Sequence, residues 1–263
     1  MLVKLLKYDL KYMVKNMAIF YILAIVFAIL TRVLFGINQS FMITLLGHIC
    51  SGCVISMVAS IFFNTLIRSW IRFRDSLYKD EAYLTHTLPV SKSDIYNSRF
   101  IQALVFFIIG FLVMLLSLFI AYYHKDTWLM IKNYIGLITN GLGMSTMVFI
   151  ISMLGVIFLE MFNVVQCGFL GIILGYKRNS NKIAFSFAFG LVFYFVSQSI
   201  VLLLVFLVGL FNGDIMGLFY TTTTLNVEAL KLLMIISIMF YIVVIISMSF
   251  VCKKELNKGV NLE

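Results

Sequence analysis

The sequence predicts an all-α fold, a polytopic membrane protein of six transmembrane helices, and three observations carry that prediction. Of 263 residues, 62% are apolar and only 12% charged, and mean hydropathy is +1.06. That is about half the charged share of an ordinary soluble domain. Six nearly uncharged runs each provide the roughly 20 residues that a bilayer span requires. None shows the roughly ten-residue alternation of a membrane barrel strand, and helices satisfy their own backbone polar groups, so helices are expected throughout. No large soluble domain fits in the remainder.

The elements follow in chain order as one membrane domain, 1–263. In residues 1–16, Lys4, Lys7, Lys11 and Lys15 fall within an arc of about 80°, with Val3, Leu6, Leu10, Met13 and Val14 on the neighbouring face. This reads as an interfacial elbow helix on the inner leaflet; the alternative is a first span that begins early with a charged stub. No cleavage site follows Phe20 to Leu30, so a removable signal peptide is not expected. Spans are expected at about 17–35, 41–67, 100–123, 145–175, 183–211 and 230–251. Residues 68–99 form a long inner loop, 124–144 a helical outer excursion, 212–229 an outer loop and 252–263 a tail.

The net charge of +9 is read through its placement. Lys4, Lys7, Lys11, Lys15, then Arg68, Arg72, Arg74, Lys79, Lys92, Arg99, then Lys177, Arg178, Lys182, and finally Lys253, Lys254 and Lys258 all fall on one side. Only Arg32, Lys125, Lys132 and Lys231 fall on the other. Basic residues in short loops are retained in the cytoplasm, so both termini are expected inside, and the charge is an orientation signal with no nucleic-acid role.

The inner loop has the most character. Ser91 and Asp94 form an S-x-x-D capping pattern, so the third span is expected to start in the cytoplasm, and Pro89 ends whatever helix precedes it. A short separate helix is expected from about Leu77 to His86. Its mixture of Asp80, Glu81, Tyr83, Leu84 and His86 suits an exposed docking surface, and equally a solvated linker.

The run Tyr78-Lys79-Asp80-Glu81-Ala82-Tyr83-Leu84-Thr85-His86-Thr87-Leu88-Pro89-Val90-Ser91 resembles the segment between the second and third spans of type 2 ABC exporter permeases. In that family a short acidic patch followed by Y-L-T-x-T-L-P-V-S is the cytoplasmic coupling helix that sits in a groove of the ATPase. The elbow, six spans, inward termini and outer excursion are similar too. The resemblance implies that Lys79, Asp80, Glu81, Ala82, Tyr83, Leu84, Thr85 and His86 dock on an ATPase. It further implies a permease dimer, two identical copies by preference, moved by two ATPase subunits. The chain itself holds no cofactor, since it has no G-x-x-x-x-G-K-[ST] run to cradle phosphates; ATP and magnesium would sit on the ATPase. The lysine-rich start and Phe-rich, Met-rich spans are similar in character to permeases that export phenol-soluble modulins and other amphipathic peptides from low-GC Gram-positive bacteria. A bacterial plasma membrane is expected on that likeness. Export of drugs or lipids, and a non-transporting immunity or scaffold role, are the alternatives.

Polar residues within spans mark a path, a subunit interface or close packing. Glu160 is the lone acid inside a span, with Asn163, Cys167 and Gly171 on its helix face. The fifth span carries Ser197, Gln198 and Ser199, and the second carries Gly52, Ser56, Ser60 and Asn64 at four-residue intervals, the spacing by which helices pack closely. Twenty-six Phe and fifteen Met favour a soft apolar wall and an amphipathic or lipid-like cargo. Cys50-x-x-Cys53 lies in an apolar span with no second pair and reads as packing; His48, His86 and His124 belong to different depths, so no metal site is expected.

Overall fold

The computed structural model describes residues 2–37, 40–87, 90–220 and 227–258, and every described element is a helix. Six are long and apolar enough to cross a membrane: α1 Leu2–Ile37, α2 Phe41–Tyr78, α4 Lys92–Tyr122, α6 Thr146–Gly175, α7 Lys182–Gly209 and α9 Val227–Asn257. Between them stand the shorter α3 Asp80–Thr87, α5 Lys125–Gly141 and α8 Gly213–Tyr220. The all-helical class expected from composition is therefore the observed one, with six helices of the length and hydropathy that membrane spans require. The helices fall into two compact units, Met1–Met130 and Ile131–Glu263.

In the first unit α1, α2 and α4 pack on one another. Residues 2–16 are continuous with the first span, because α1 has no break over its 36 residues. One buried stripe, Asp9, Met13, Met17, Ala24, Ala28 and Thr31, runs along it within an arc of about 100°, opposite the exposed lysines. Val3 and Val14, expected on the apolar face, are exposed. Met13, Met17 and Ala24 meet Ile61 and Phe106 in one cluster, and Ala28 meets Val54 and Ala121 in another. Thus α2 runs antiparallel to α1 and α4.

The second span is longer than its apolar run. A helix of 38 residues rises about 57 Å against roughly 30 Å of hydrocarbon, so α2 continues from Arg68 to Tyr78, where a loop was expected. No Gly or Pro lies between Arg68 and Tyr78, and Ser69, Phe73, Ser76 and Leu77 are buried, so packing carries the helix onward. The short helix accordingly starts at Asp80 and not at Leu77. Ser91 caps α4 as expected, its hydroxyl accepting from the Asp94 amide at 3.1 Å.

In the second unit α6 packs on α7 and α9, and α8 lies against α7 and α9. The α6–α7 crossing needs glycine: a Cβ on Gly171 would lie 2.5 Å from the Ser186 carbonyl oxygen and 2.6 Å from the Gly190 amide. Small residues at this crossing let the two backbones touch. Ahead of α7, Asn181 takes the left-handed conformation (φ 48°) that Asn tolerates better than most residues.

Candidate functional site

Two polar constellations stand out, one in each unit. The first gathers at the end of α1 that carries the lysines. Asp9 is the only acid among the first 74 residues and is 1% exposed. Its carboxylate pairs with Arg99 of α4 and, at 3.4 Å, with Arg72 of α2, and accepts from the Ser98 hydroxyl at 2.7 Å. Arg72 forks: one amino group faces Asp9, and the other reaches Glu81 of α3 at 2.5 Å. The planar guanidinium, with donors on both arms, can hold two carboxylates at once. It also lies 4.6 Å from the centroid of the Tyr12 ring, a contact of about 0.5–2 kcal/mol. A buried ion cluster adds little net stability, but taking one partner away leaves a charge in a dry place. The arrangement therefore fixes the start of α1 against α2 and α4 and extends to α3.

On α3 the docking residues expected from sequence are only partly displayed. Ala82 is buried and its amide closes a turn on the Lys79 carbonyl at 2.7 Å. Lys79 faces Asp75 of α2 at 3.8 Å. Tyr83 is 66% exposed and Glu81 is exposed while held by Arg72, so these two present a surface. The side chains of Asp80, Leu84, Thr85 and His86, and the whole of Leu88 and Pro89, lie outside what is described.

The second constellation joins α6, α7 and α9. Glu160 sits midway along α6, and its Oε1 accepts from the Gln198 amide at 2.8 Å and the Tyr194 hydroxyl at 3.1 Å, both on α7. Gln198 in turn accepts from the Tyr241 hydroxyl of α9 at 3.4 Å. Asn163 donates to the Ser197 hydroxyl at 3.1 Å, and the Cys167 thiol donates to Asn163 at 3.6 Å. Gln166 donates to Ser249 of α9 at 2.6 Å and to the Ile245 carbonyl at 3.2 Å. So Glu160, Asn163 and Gln198, chosen from sequence, do converge, and the tyrosines and Gln166 join them. Glu160 Oε2 is buried and has no hydrogen-bond partner, a situation that disfavours the structure by about 1–3 kcal/mol. No described Lys, Arg or His forms an ion pair with it.

The stripe on α2 does not join either constellation. Ser56 is exposed, Asn64 donates to the Ser60 carbonyl of its own helix at 2.9 Å, and a Cβ on Gly52 would meet nothing within 4 Å. The buried face of α2 is instead Gly47, Val54, Ile61, Thr65, Ser69 and Phe73. Cys50 and Cys53 are half-buried free thiols.

No protein-family model, curated protein or solved structure matches this chain. What it does must therefore be argued from its own residues.

Proposed function

We propose that the chain is the membrane subunit of an ATP-driven exporter of the type 2 ABC class, forming the path for an amphipathic or hydrophobic cargo. Peptides of the toxin or antimicrobial type are the cargo favoured here. One observation carries the reading: α3 is a short helix set between two long membrane helices and tethered by Arg72, which also holds Asp9 and thereby the start of α1. A force applied to such a helix from outside is delivered directly to three of the six candidate spans. The placement of basic residues supports α3 and both termini lying in the cytoplasm of a bacterial plasma membrane. The first turns of α1, with their lysines opposite the buried stripe, suit the inner headgroup layer. Two permease copies with two ATPase subunits, which would bind ATP and magnesium, complete the proposed assembly.

The test is coupling. Reversing Asp80 and Glu81 to lysine is expected to leave the helices folded while separating ATP hydrolysis from peptide movement in reconstituted vesicles. Unchanged coupling would remove α3 as the docking element.

A further inference from the structure

The arrangement around Glu160 has a chemical selectivity of its own. Oε1 accepts from two neutral donors of α7, while Oε2 is buried beside it with no hydrogen bond of ordinary geometry, the neutral Tyr241 hydroxyl of α9 lying against the same carboxyl. The groups facing this carboxyl are Tyr194 and Gln198 from α7, Tyr241 from α9 and, on its own helix, Asn163 and Cys167. None of these is a cation, and none places an apolar surface in hydrogen-bonding position. An incoming anion would meet a carboxyl oxygen, and an alkyl group would leave that oxygen unpaired; both are unfavourable. A primary ammonium brings three N–H donors and a positive charge, and satisfies the unused oxygen on both counts. Oε2 itself is covered within its unit, while Glu160 as a residue is of intermediate exposure, so part of its side chain reaches the surface of that unit.

Resting on the reading of the chain as an exporter subunit, we infer that Glu160, held by Tyr194 and Gln198, is a binding site for a primary ammonium group at mid-span. The cargo class is thereby narrowed to amphiphiles that carry a lysine-like or amino-terminal cation on an apolar body.

The experiment uses the full chain in neutral phosphatidylcholine nanodiscs, where lipid does not attract a probe by charge, with calorimetric titration of decylammonium and decanoate and subtraction of the non-saturable uptake by empty nanodiscs. Wild type is expected to bind decylammonium saturably and decanoate not at all. Glu160→Gln is expected to weaken decylammonium binding about tenfold or more, with Glu160→Asp retaining part of it. Tyr194→Phe, which keeps the ring and removes one donor to Oε1, is expected to weaken it severalfold, and it decides the matter should Glu160→Gln not assemble. Equal saturation in wild type and the variants, binding of both probes alike, or no saturable binding overturns the site. ATPase capture by the same preparations separates this from the exporter reading. Capture without ammonium binding removes the site alone, and ammonium binding without capture removes the exporter reading alone.

Discussion

At the scale of single residues, the chain spends its few charges on two buried carboxyls with opposite arrangements. Asp9 is surrounded by Arg72, Arg99 and a serine hydroxyl, whereas Glu160 has only neutral donors on one oxygen. Asp9→Asn should thus be costly, because the buried Arg99 guanidinium loses its counter-charge and Arg72 keeps only Glu81: a loss of about 3–5 kcal/mol is expected in thermal or denaturant unfolding. Replacing Asp9 and Arg99 together by leucine should recover part of it, since an apolar pair has nothing to desolvate. If the single variant unfolds like wild type, the cluster is not the anchor described. Glu160 was legible in sequence as a lone acid in an apolar run, Asn163 as its neighbour on the same helix face, and its partner Gln198 as a polar residue of the fifth span. Asp9 was not, because an acid among lysines looks like a solvated local pair. The available signal was that Asp9 falls on the opposite arc of the helix from Lys4, Lys7, Lys11 and Lys15, in register with Met13 and Met17. Tyr194 and Tyr241 were missed because a tyrosine in a span reads as bulk until its hydroxyl is given a partner.

At the scale of elements, close approach and docking can be tested apart. Gly171→Ala puts a methyl against backbone atoms of α7 that cannot rotate away, so α6 and α7 must part; about 1–3 kcal/mol of stability should be lost. Gly155→Ala on the same helix meets nothing within 4 Å and should be neutral, or gain up to about 1 kcal/mol from better helix propensity. Matching unfolding midpoints for the two variants would contradict the crossing. On α3, Tyr83→Ala removes an exposed ring without touching the Arg72 fork. It should weaken ATPase capture by about 2 kcal/mol, the scale of an aromatic anchor, while the unfolding midpoint stays put. The six long helices were legible from apolar runs because composition alone selects them. Their ends were less so: α2 continues to Tyr78 because its buried face continues, and residues 2–16 join α1 for the same reason. Hydropathy registers neither, since Arg68, Arg72 and Arg74 lower it while the helix goes on. The Ser91 cap was readable because it depends on neighbours three residues apart.

At the scale of the whole molecule, the account makes the chain a gate moved from its basic side. Accessibility checks that orientation: with an impermeant maleimide, Tyr83→Cys should be spared in intact cells and labelled after permeabilisation, and Lys132→Cys should be labelled in both. Labelling of Tyr83→Cys from outside would invert the topology. The most direct measurement is ATP turnover by material captured on the tagged full chain from its native membranes. Wild type is expected to bring down an ATPase and hydrolyse ATP, and the chain with Asp80 and Glu81 reversed to lysine to bring down neither. Turnover by the chain purified free of any partner, or equal capture by the reversed chain, would contradict the account.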